Sequence, residues 1–554
     1  MSDLSKLPQP ATGCIPSVLA NGDTHGRAAF TLRFGTATWD AAKTGTVSHP
    51  VNGDFNNFKD GLGTYTKALK QDSHCIVNPA TYKAFLQACG IVSGGPVAFG
   101  NFEDPAIMLG GTAKLNGPLG AFAWQNVGKD SQAYGDPIVP AAPGLDSVEY
   151  AIELVELYWA SLLRDVPFED YGTDRTAQDA AKELNALAAA NPGKYAGPTE
   201  NGNVTPALLF RGGFNGKPLY FQGEDVGPYL SQFCLIPTSL GRNAIDQKIT
   251  TFAPAQDFMI TIDEWFDIQN GKPPTSKAVL ESLPRFMRNG RDTAAYTQMD
   301  ELYQAYLIAF LVATTLGLPP NPGSPYSRSG PLKKEKPFGT FGGPDISATL
   351  GAVARAAINA VWYQKWLVHL RHRPESGGGV VQLLKTGGLP SGDVAQLKNF
   401  DIVLNSMALE QSYERYGSYL LSQAFSEGAP THPAYPTGHG TVAGACITVL
   451  KFFLDGTAPF TYHVKPARDG LSLEPYNGPG PLTVNGELHK LAHNISFGHG
   501  IHAGIHWRSD TDYSLLLGEA VAIDFLMDQM YSYQEKVDLM ITKMDGTPQP
   551  FKNY

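Results

Sequence analysis

The apolar positions of the chain recur with a helical period from residue 147 onwards. In SVEYAIELVELYWASLL, the apolar residues that share one helical face are Val148, Ile152, Val155, Trp159 and Leu162. Similar patterns predict further helices over residues 257–270, 297–316, 346–370, 398–416, 441–454 and 510–535. Strand-like alternation is sparse, so the sequence predicts a mostly α fold.

The first 145 residues follow a different pattern. They are rich in Gly, Pro, Asn and Asp, and their short apolar pieces keep no sustained helical period. We interpret residues 1–145 as a loop-rich N-terminal arm or cover and residues 146–554 as a helical domain. Two Pro/Gly-rich stretches in that domain, 317–343 and 456–486, are predicted to be connections long enough to be functional loops.

Composition and charge narrow the class of protein. Apolar residues make up 43% of the chain, and 42 basic against 52 acidic residues give a net charge of −10 without a dense basic run. Nucleic acid and an anionic membrane surface are therefore not expected as partners. Because neither a signal peptide nor a membrane-spanning run is visible, the sequence predicts a soluble, cytoplasmic protein. Five scattered cysteines exclude a disulfide scaffold and a thiolate metal site.

Candidate chemistry concentrates in the C-terminal third, and its first motif is PTGHG. Thr437, Gly438 and His439 stand directly before an apolar stretch that carries small residues at helical spacing. A helix start offers unpaired N–H groups and a partial positive charge, and the hydroxyl and the glycine backbone add further donors. The motif is therefore compatible with an oxyanion site, although a capped helix with a surface histidine is the more ordinary explanation when the motif is read alone.

The second motif is KWLVHLRHRPE, at the end of a predicted helix that Pro374 should stop. Lys365 and Arg373 are eight positions apart, so both cations can converge on one bound anion if the last helical turn is distorted. The alternative is a solvated basic helix end that the helix dipole stabilises.

The third motif is SFGHGIHAGIHWRSD, which carries three histidines among small residues. Asp510 follows His506 by four positions, so its carboxylate can orient a metal-binding imidazole or cap the next helix. A His-rich turn without function, or an adventitious site for a divalent metal, remains open from the residues alone.

Taken in this order, the three motifs resemble those of the vanadium-dependent haloperoxidases, most closely the bromoperoxidases of red algae and cyanobacteria. That family is related to phosphatidate phosphatases and bacterial acid phosphatases. The blocks LLRD, EDVGPYLSQF, DFMITIDEWFDIQNG, FGGP and LLLGEAVAI extend the resemblance over residues 145–545. It implies a helical fold with two four-helix bundles, and a vanadate cofactor bound at the end of one bundle.

The resemblance also implies a role for each matching residue. His506 matches the imidazole ligand of vanadium, and His439 matches the acid–base histidine. Lys365 and Arg373 match the cations that hold the vanadate oxygens, and Lys365 also activates the bound peroxide. Gly438 matches a backbone N–H donor, whereas Thr437 stands where the family has a serine. His432 matches a histidine close to the approach of the halide.

The activity implied by the resemblance is the oxidation of a halide, with bromide as our first choice. Hydrogen peroxide is the oxidant, and the hypohalous acid that forms halogenates a small organic acceptor. Related enzymes form dimers or higher oligomers, so we expect a dimer-based homo-oligomer in which the first 145 residues can contact a second subunit.

One position departs from the family pattern. The family has an arginine six residues before the metal histidine, and this chain has Gly500 there. Losing a charged hydrogen bond would weaken vanadate binding about ten- to a hundredfold. Our hypothesis is that His499 replaces the arginine as a donor, with His502 and Arg508 as other candidates.

Two alternatives to a haloperoxidase follow from the same pocket. The first is a family member with altered or lost activity, either a vanadate-independent catalyst or an anion-binding protein, which the missing arginine favours. The second is a phosphatase-type hydrolase, in which His506 would attack phosphorus and His439 would protonate the leaving group.

Overall fold

The computed structural model describes residues 4–11, 24–58, 60–72, 76–90, 102, 113–213 and 223–554. In chain order its α-helices are α1 (Thr24–Thr44), α2 (Asp54–Asn57), α3 (Pro79–Ala88), α4 (Val148–Leu162), α5 (Arg175–Ala190), α6 (Ile262–Gln269), α7 (Gly290–Gln298), α8 (Gln304–Leu316), α9 (Gly343–Tyr363), α10 (Pro374–Thr386), α11 (Ser391–Val394), α12 (Asp401–Leu404), α13 (Met407–Tyr416), α14 (Gly438–Phe453), α15 (Val484–Phe497) and α16 (Arg508–Ser532). Two π-helical turns, Gln364–His369 and Gly498–His502, directly follow α9 and α15.

Short elements complete the chain. The 3-10 turns are Leu4–Lys6, Pro118–Phe122, Ser131–Ala133, Phe168–Asp170, Pro206–Leu208, Gln232–Cys234 and Lys398–Phe400. The strands are β1 (Thr238–Leu240), β2 (Asn243–Ile245), β3 (Val464–Pro466), β4 (Leu473–Pro475), β5 (Asp538–Thr542) and β6 (Pro548–Lys552), which form three separate antiparallel pairs in chain order. The predicted mostly α class is confirmed.

Helix α14 lies at the centre of one helix group, and every one of its residues is buried. It packs against α9, α15 and α16. Its small residues explain the close approach to α16, because a Cβ at Gly444 would overlap the carbonyl of Leu515 and a Cβ at Gly518 would overlap that of Thr441. This contact fixes the start of α14, where the PTGHG motif lies.

Helix α4 lies at the centre of a second group and packs against α5, α10, α12 and α13. It begins at an N-cap in which the Ser147 hydroxyl accepts a hydrogen bond from the Tyr150 N–H. The two groups correspond to the helix bundles expected from the sequence. Buried Glu153 and Glu156 on α4 face arginines of the second and third motifs, so the second group also supports the site.

Several helix predictions need correction. The helix predicted over 398–416 is broken, because Ser406 caps α13 through the Leu409 N–H. The helix predicted over 297–316 is interrupted between α7 and α8. Helix α10 was not predicted, since the run Gly377–Gly379 has no helical signal; a Cβ at Gly379 would overlap the Trp265 ring. Helices α5 and α15 were also not predicted.

The N-terminal region contains more helix than the sequence predicted. Helix α1 is 21 residues long but buries only Gly35 and Thr36, which explains why its apolar residues follow no clear stripe. Further along, the Tyr65 N–H donates to the Leu370 carbonyl over 2.7 Å, so this region also reaches the second motif. The division at residue 145 stays a prediction. None of the described helices combines the length and the hydropathy needed to cross a bilayer.

Candidate active site

The start of α14 presents a hydroxyl and backbone N–H groups that have no hydrogen-bond acceptor among the described residues. The Thr437 N–H donates to the Asp510 carbonyl over 3.0 Å, which ties this turn to the third motif. The Thr437 hydroxyl is buried and has no hydrogen-bond partner among the described residues. It also does not cap α14, so the first N–H groups of the helix remain available to an anion.

The second motif brings its two cations to the segment that precedes α14. The α-helix ends at Tyr363 and a π-helical turn carries Lys365; Leu370 then adopts a φ of 47°, which reverses the chain. Pro374 was expected to stop this helix, but it instead begins α10. The Lys365 ammonium donates to the carbonyls of Pro433 (2.8 Å) and Ala434 (2.6 Å).

Arg373, in the second motif, contacts both the segment before α14 and the third motif. Its Nε donates to the His432 carbonyl over 3.0 Å, and its Nη1 donates to His506 Nε2 over 2.7 Å. Burial lowers the pKa of Arg373 to about 10, and burial together with Arg373 lowers the pKa of Lys365. Two buried cations side by side are costly, and a bound anion would offset that cost.

His506 is fully buried and its orientation is fixed by Asp510. The Nδ1–H donates to Asp510 Oδ2 over 2.9 Å, which leaves the lone pair on Nε2, directed at the second motif. The same carboxylate oxygen accepts the Trp507 N–H over 3.1 Å, so Asp510 both orients the imidazole and caps α16. Its other oxygen accepts from Arg371 over 2.7 Å.

His439 has a partner that the sequence did not reveal. Its Nε2 donates to the Asp300 carboxylate over 2.9 Å, and the Asp300 side chain is 3% exposed. Asp300 lies 139 residues away, in the break between α7 and α8 that was predicted to be helical. No spacing rule links residues this far apart.

Of the three candidates for the missing arginine, only His499 lies at the site. Its ring centroid is 3.6 Å from that of His439 and 5.8 Å from that of His506. Its Nδ1 is buried and has no hydrogen-bond partner within the described ranges.

The other two candidates are engaged elsewhere. The His502 Nε2 lies 2.9 Å from the Tyr229 hydroxyl, and Arg508 pairs with Glu156. Gly500 itself has little room for a side chain, because a Cβ there would lie 3.2 Å from the His506 Cβ.

His432 lies at the edge of this cluster. Its ring centroid is 4.7 Å from that of Trp362, and its Nδ1 is 3.1 Å from Arg373 Nη2. Burial, followed by Arg373 and Lys365, holds the pKa of His432 well below its usual value, so the ring is neutral beside the two cations. Apart from His502 and Arg508, the structure thus brings together the residues that the sequence singled out for the site.

The chain is similar along most of its length to proteins of one family. It is 34% identical to a vanadium-dependent bromoperoxidase of Ascophyllum nodosum, over 92% of this chain and 89% of that protein. The chain belongs to the vanadium-dependent bromoperoxidases. A bromoperoxidase of Corallina officinalis is 31% identical over 90% of this chain and 92% of its own length. No family model matches the chain.

A solved structure agrees with this family. The homohexameric second vanadate-dependent bromoperoxidase of Ascophyllum nodosum matches with a TM-score of 0.82 at 27% identity, over 99% of this chain and 95% of that one. The shared fold therefore extends into the N-terminal region.

The hydrogen-bond donors and the imidazole of this site suit vanadate, the oxyanion after which these bromoperoxidases are named. It combines one imidazole lone pair on His506, two buried cations, the Thr437 hydroxyl and the free start of α14. Among the described residues no group of three or more His, Cys, Asp or Glu side chains forms a site for a simple metal cation. A single imidazole surrounded by donors fits an oxyanion of vanadium and not a bare divalent ion.

Proposed function

We propose that the protein is a vanadate-dependent bromoperoxidase, which uses hydrogen peroxide to oxidise bromide to hypobromous acid and so halogenates organic acceptors. The observation that carries the proposal is the buried His506 imidazole. Asp510 fixes its tautomer, and its Nε2 lies 2.7 Å from the Arg373 guanidinium. The names of the relatives support vanadate as the cofactor and bromide as the halide.

In this proposal His506 Nε2 is the ligand of vanadium. The oxygens are held by Lys365, Arg373, the Thr437 hydroxyl, the Gly438 N–H and His499. When bound, vanadate supplies a Lewis acid that activates peroxide while vanadium stays pentavalent. The lowered pKa values of Lys365 and Arg373 support this role, since a nearby anion favours their charged forms.

His439 moves the proton in this scheme. Its Nε2–H is held by Asp300, so the Nδ1 lone pair is the base that accepts a proton from hydrogen peroxide. Asp300 stabilises the imidazolium that results, and the ring can return the proton to the departing oxygen. The Lys365 ammonium would make the peroxide more electrophilic, and His432 with Trp362 would line the approach of bromide.

The decisive experiment measures bromination of an organic acceptor by bromide and peroxide, with the apo-protein before and after addition of vanadate. We expect activity only with vanadate. Hydrolysis of phenyl phosphate without bromination would instead support the phosphatase-type alternative. Bound vanadate without either activity would identify a family member whose activity has been lost.

We further propose that the protein is a homo-oligomer built from dimers. A related bromoperoxidase of known structure is a homohexamer, and α1 fully buries only Gly35 and Thr36 in a single chain. The N-terminal region would then contribute the contact. Light scattering should give a mass of an even number of chains. The cytoplasmic location expected from the sequence stays a prediction.

A further inference from the structure

A lysine from the N-terminal region contacts the segment that leads to the candidate site. Lys67 is 4% exposed, and its ammonium donates to the carbonyls of Glu427 (2.9 Å) and Ala429 (2.6 Å). It also pairs with Glu375 Oε1 at 2.9 Å. Burial lowers the pKa of Lys67 while Glu375 opposes this effect, so the ion pair is what keeps the ammonium charged.

Glu375 completes the connection from the other side. Its Oε2 accepts the Ala429 N–H over 2.6 Å, and its Oε1 also accepts from Gln269 over 2.9 Å. Lys67 and Glu375 therefore hold the segment at residues 427–429 through two carbonyls and one amide. Both side chains are almost completely buried, so water competes little with these contacts.

The two segments joined in this way carry the anion-binding groups. Arg373 precedes Glu375 by two positions, and His432 follows Ala429 by three. Across the gap, Arg373 Nε donates to the His432 carbonyl over 3.0 Å, and Arg373 Nη1 donates to the Ile505 carbonyl over 2.9 Å. A shift of either segment would therefore displace the guanidinium from His506.

We infer that Lys67 is a positioning residue of the oxyanion site, which acts through Glu375 to hold the 427–432 segment against Arg373. The N-terminal region is then part of the site and not only a cover. The inference rests on the proposed function in one respect, namely that the bound oxyanion is vanadate. Lys67 does not touch the reacting groups, so its effect is on affinity for the anion and not on the proton transfer at His439.

The test compares Lys67→Met with Lys490→Met, which removes an equally buried ion pair elsewhere. Lys490 lies within α15 and donates to Glu487 (2.7 Å) and to the Val226 carbonyl (2.6 Å). Lys67→Arg tests rescue by a conserved charge. The double variant Lys67→Met/Glu375→Gln removes both charges, so it leaves no unpaired buried charge to unfold the protein.

Two measurements are made on each full-length variant. Hydrogen exchange of the apo-protein follows the amides of residues 427–434, and equilibrium dialysis with orthovanadate gives the dissociation constant. In Lys67→Met and the double variant we expect faster exchange in this segment and a vanadate dissociation constant raised about 10- to 100-fold. The kcat for bromination at saturating vanadate should stay near the wild-type value. Lys490→Met should change neither quantity, and Lys67→Arg should recover part of the affinity.

Unchanged exchange at residues 427–434 in both Lys67→Met and the double variant would overturn the inference. So would faster exchange with wild-type vanadate affinity, or an equal loss of affinity in Lys490→Met. If the wild-type protein itself bound no vanadate, the proposed function would fail. The exchange data, which need no anion, would then decide whether Lys67 holds the segment.

Discussion

His439 and His499 lie face to face, with ring centroids 3.6 Å apart and planes 25° from parallel. Asp300 holds His439 from its other side. Burial, followed by His439, His506 and Arg373, keeps the pKa of His499 well below its usual value. His499 is therefore neutral unless an anion is bound beside it, because burial and the neighbouring cationic groups disfavour its charged form.

This arrangement predicts how His499→Arg should behave. An oxyanion raises the pKa of a neighbouring imidazole, so His499 can donate as imidazolium only below that raised pKa. Arginine stays charged throughout. The variant should bind vanadate about ten- to a hundredfold more tightly than the wild type near pH 8 to 9 and lose this advantage towards pH 6. Vanadate dissociation constants measured across this pH range test it.

His502→Gln is the control for a nearby histidine outside the site, since the His502 ring contacts Tyr229 and burial lowers the pKa of His502 to about 3. It should leave the pH profile of vanadate affinity unchanged. Equal affinities of wild type and His499→Arg at every pH, or weaker binding by the variant at high pH, would show that His499 does not face the oxyanion.

The contact between Asp300 and His439 predicts a loss of rate without a loss of cofactor. In Asp300→Asn the amide cannot stabilise a protonated imidazole, so kcat for bromination should fall about 10- to 100-fold. Vanadate affinity should change little, because Asp300 touches no residue proposed to bind the anion. His439→Ala should show the same pattern more strongly. If vanadate were lost from His439→Ala as completely as from His506→Ala, His439 would be a ligand instead.

The buried His506 predicts the opposite pattern. His506→Ala should abolish stoichiometric vanadium binding, measured by metal analysis after gel filtration, while circular dichroism remains that of a helical protein. Asp510→Asn should lower vanadate affinity about 10- to 100-fold, because the amide no longer fixes the Nε2 lone pair. Bromoperoxidase activity at the wild-type level in His506→Ala would rule out this residue as the ligand.

The sequence was informative where the contacts are local. The four-residue spacing of His506 and Asp510 predicted their hydrogen bond, and the apolar stretch after PTGHG predicted helix α14. Most of the long helices with an apolar stripe were also predicted, although α5 and α15 were missed. Their ends differ because caps such as Ser406, and the π-helical turns, depend on tertiary contacts.

The remainder of the site depends on contacts between distant segments. Asp300 reaches His439 across 139 residues, and Lys67 reaches Ala429 across 362. Neither residue belongs to a motif, and both lie where the apolar pattern is weak or was misread as helix. Helices α1 and α10 were missed for a related reason, since exposed or glycine-rich helices have no apolar stripe to detect.

Asp512 offers a test of stability outside the proposed chemistry. Its carboxyl is completely buried in α16, and neither oxygen has a hydrogen-bond partner among the described residues. Burial raises the pKa of Asp512 to about 7, although Arg508 and His493 lower it in part. Relative to the usual value of 3.8, this corresponds to on the order of 4 kcal/mol of stability that depends on pH.

The sign follows from which state binds the proton. Between about pH 4 and 7 the folded protein keeps Asp512 protonated while the unfolded chain has lost that proton, so stability falls as pH rises and levels off above about pH 7. Asp512→Asn cannot ionise. Its melting temperature relative to the wild type should therefore rise between about pH 5 and 7 and stay constant above that range.

Asp538→Asn is the matched control. Hydrogen bonds from Tyr554 and Lys552 lower the pKa of that exposed carboxyl, so its melting-temperature difference should stay flat over the same range. A flat difference for Asp512→Asn as well would show that Asp512 is ionised in the folded protein.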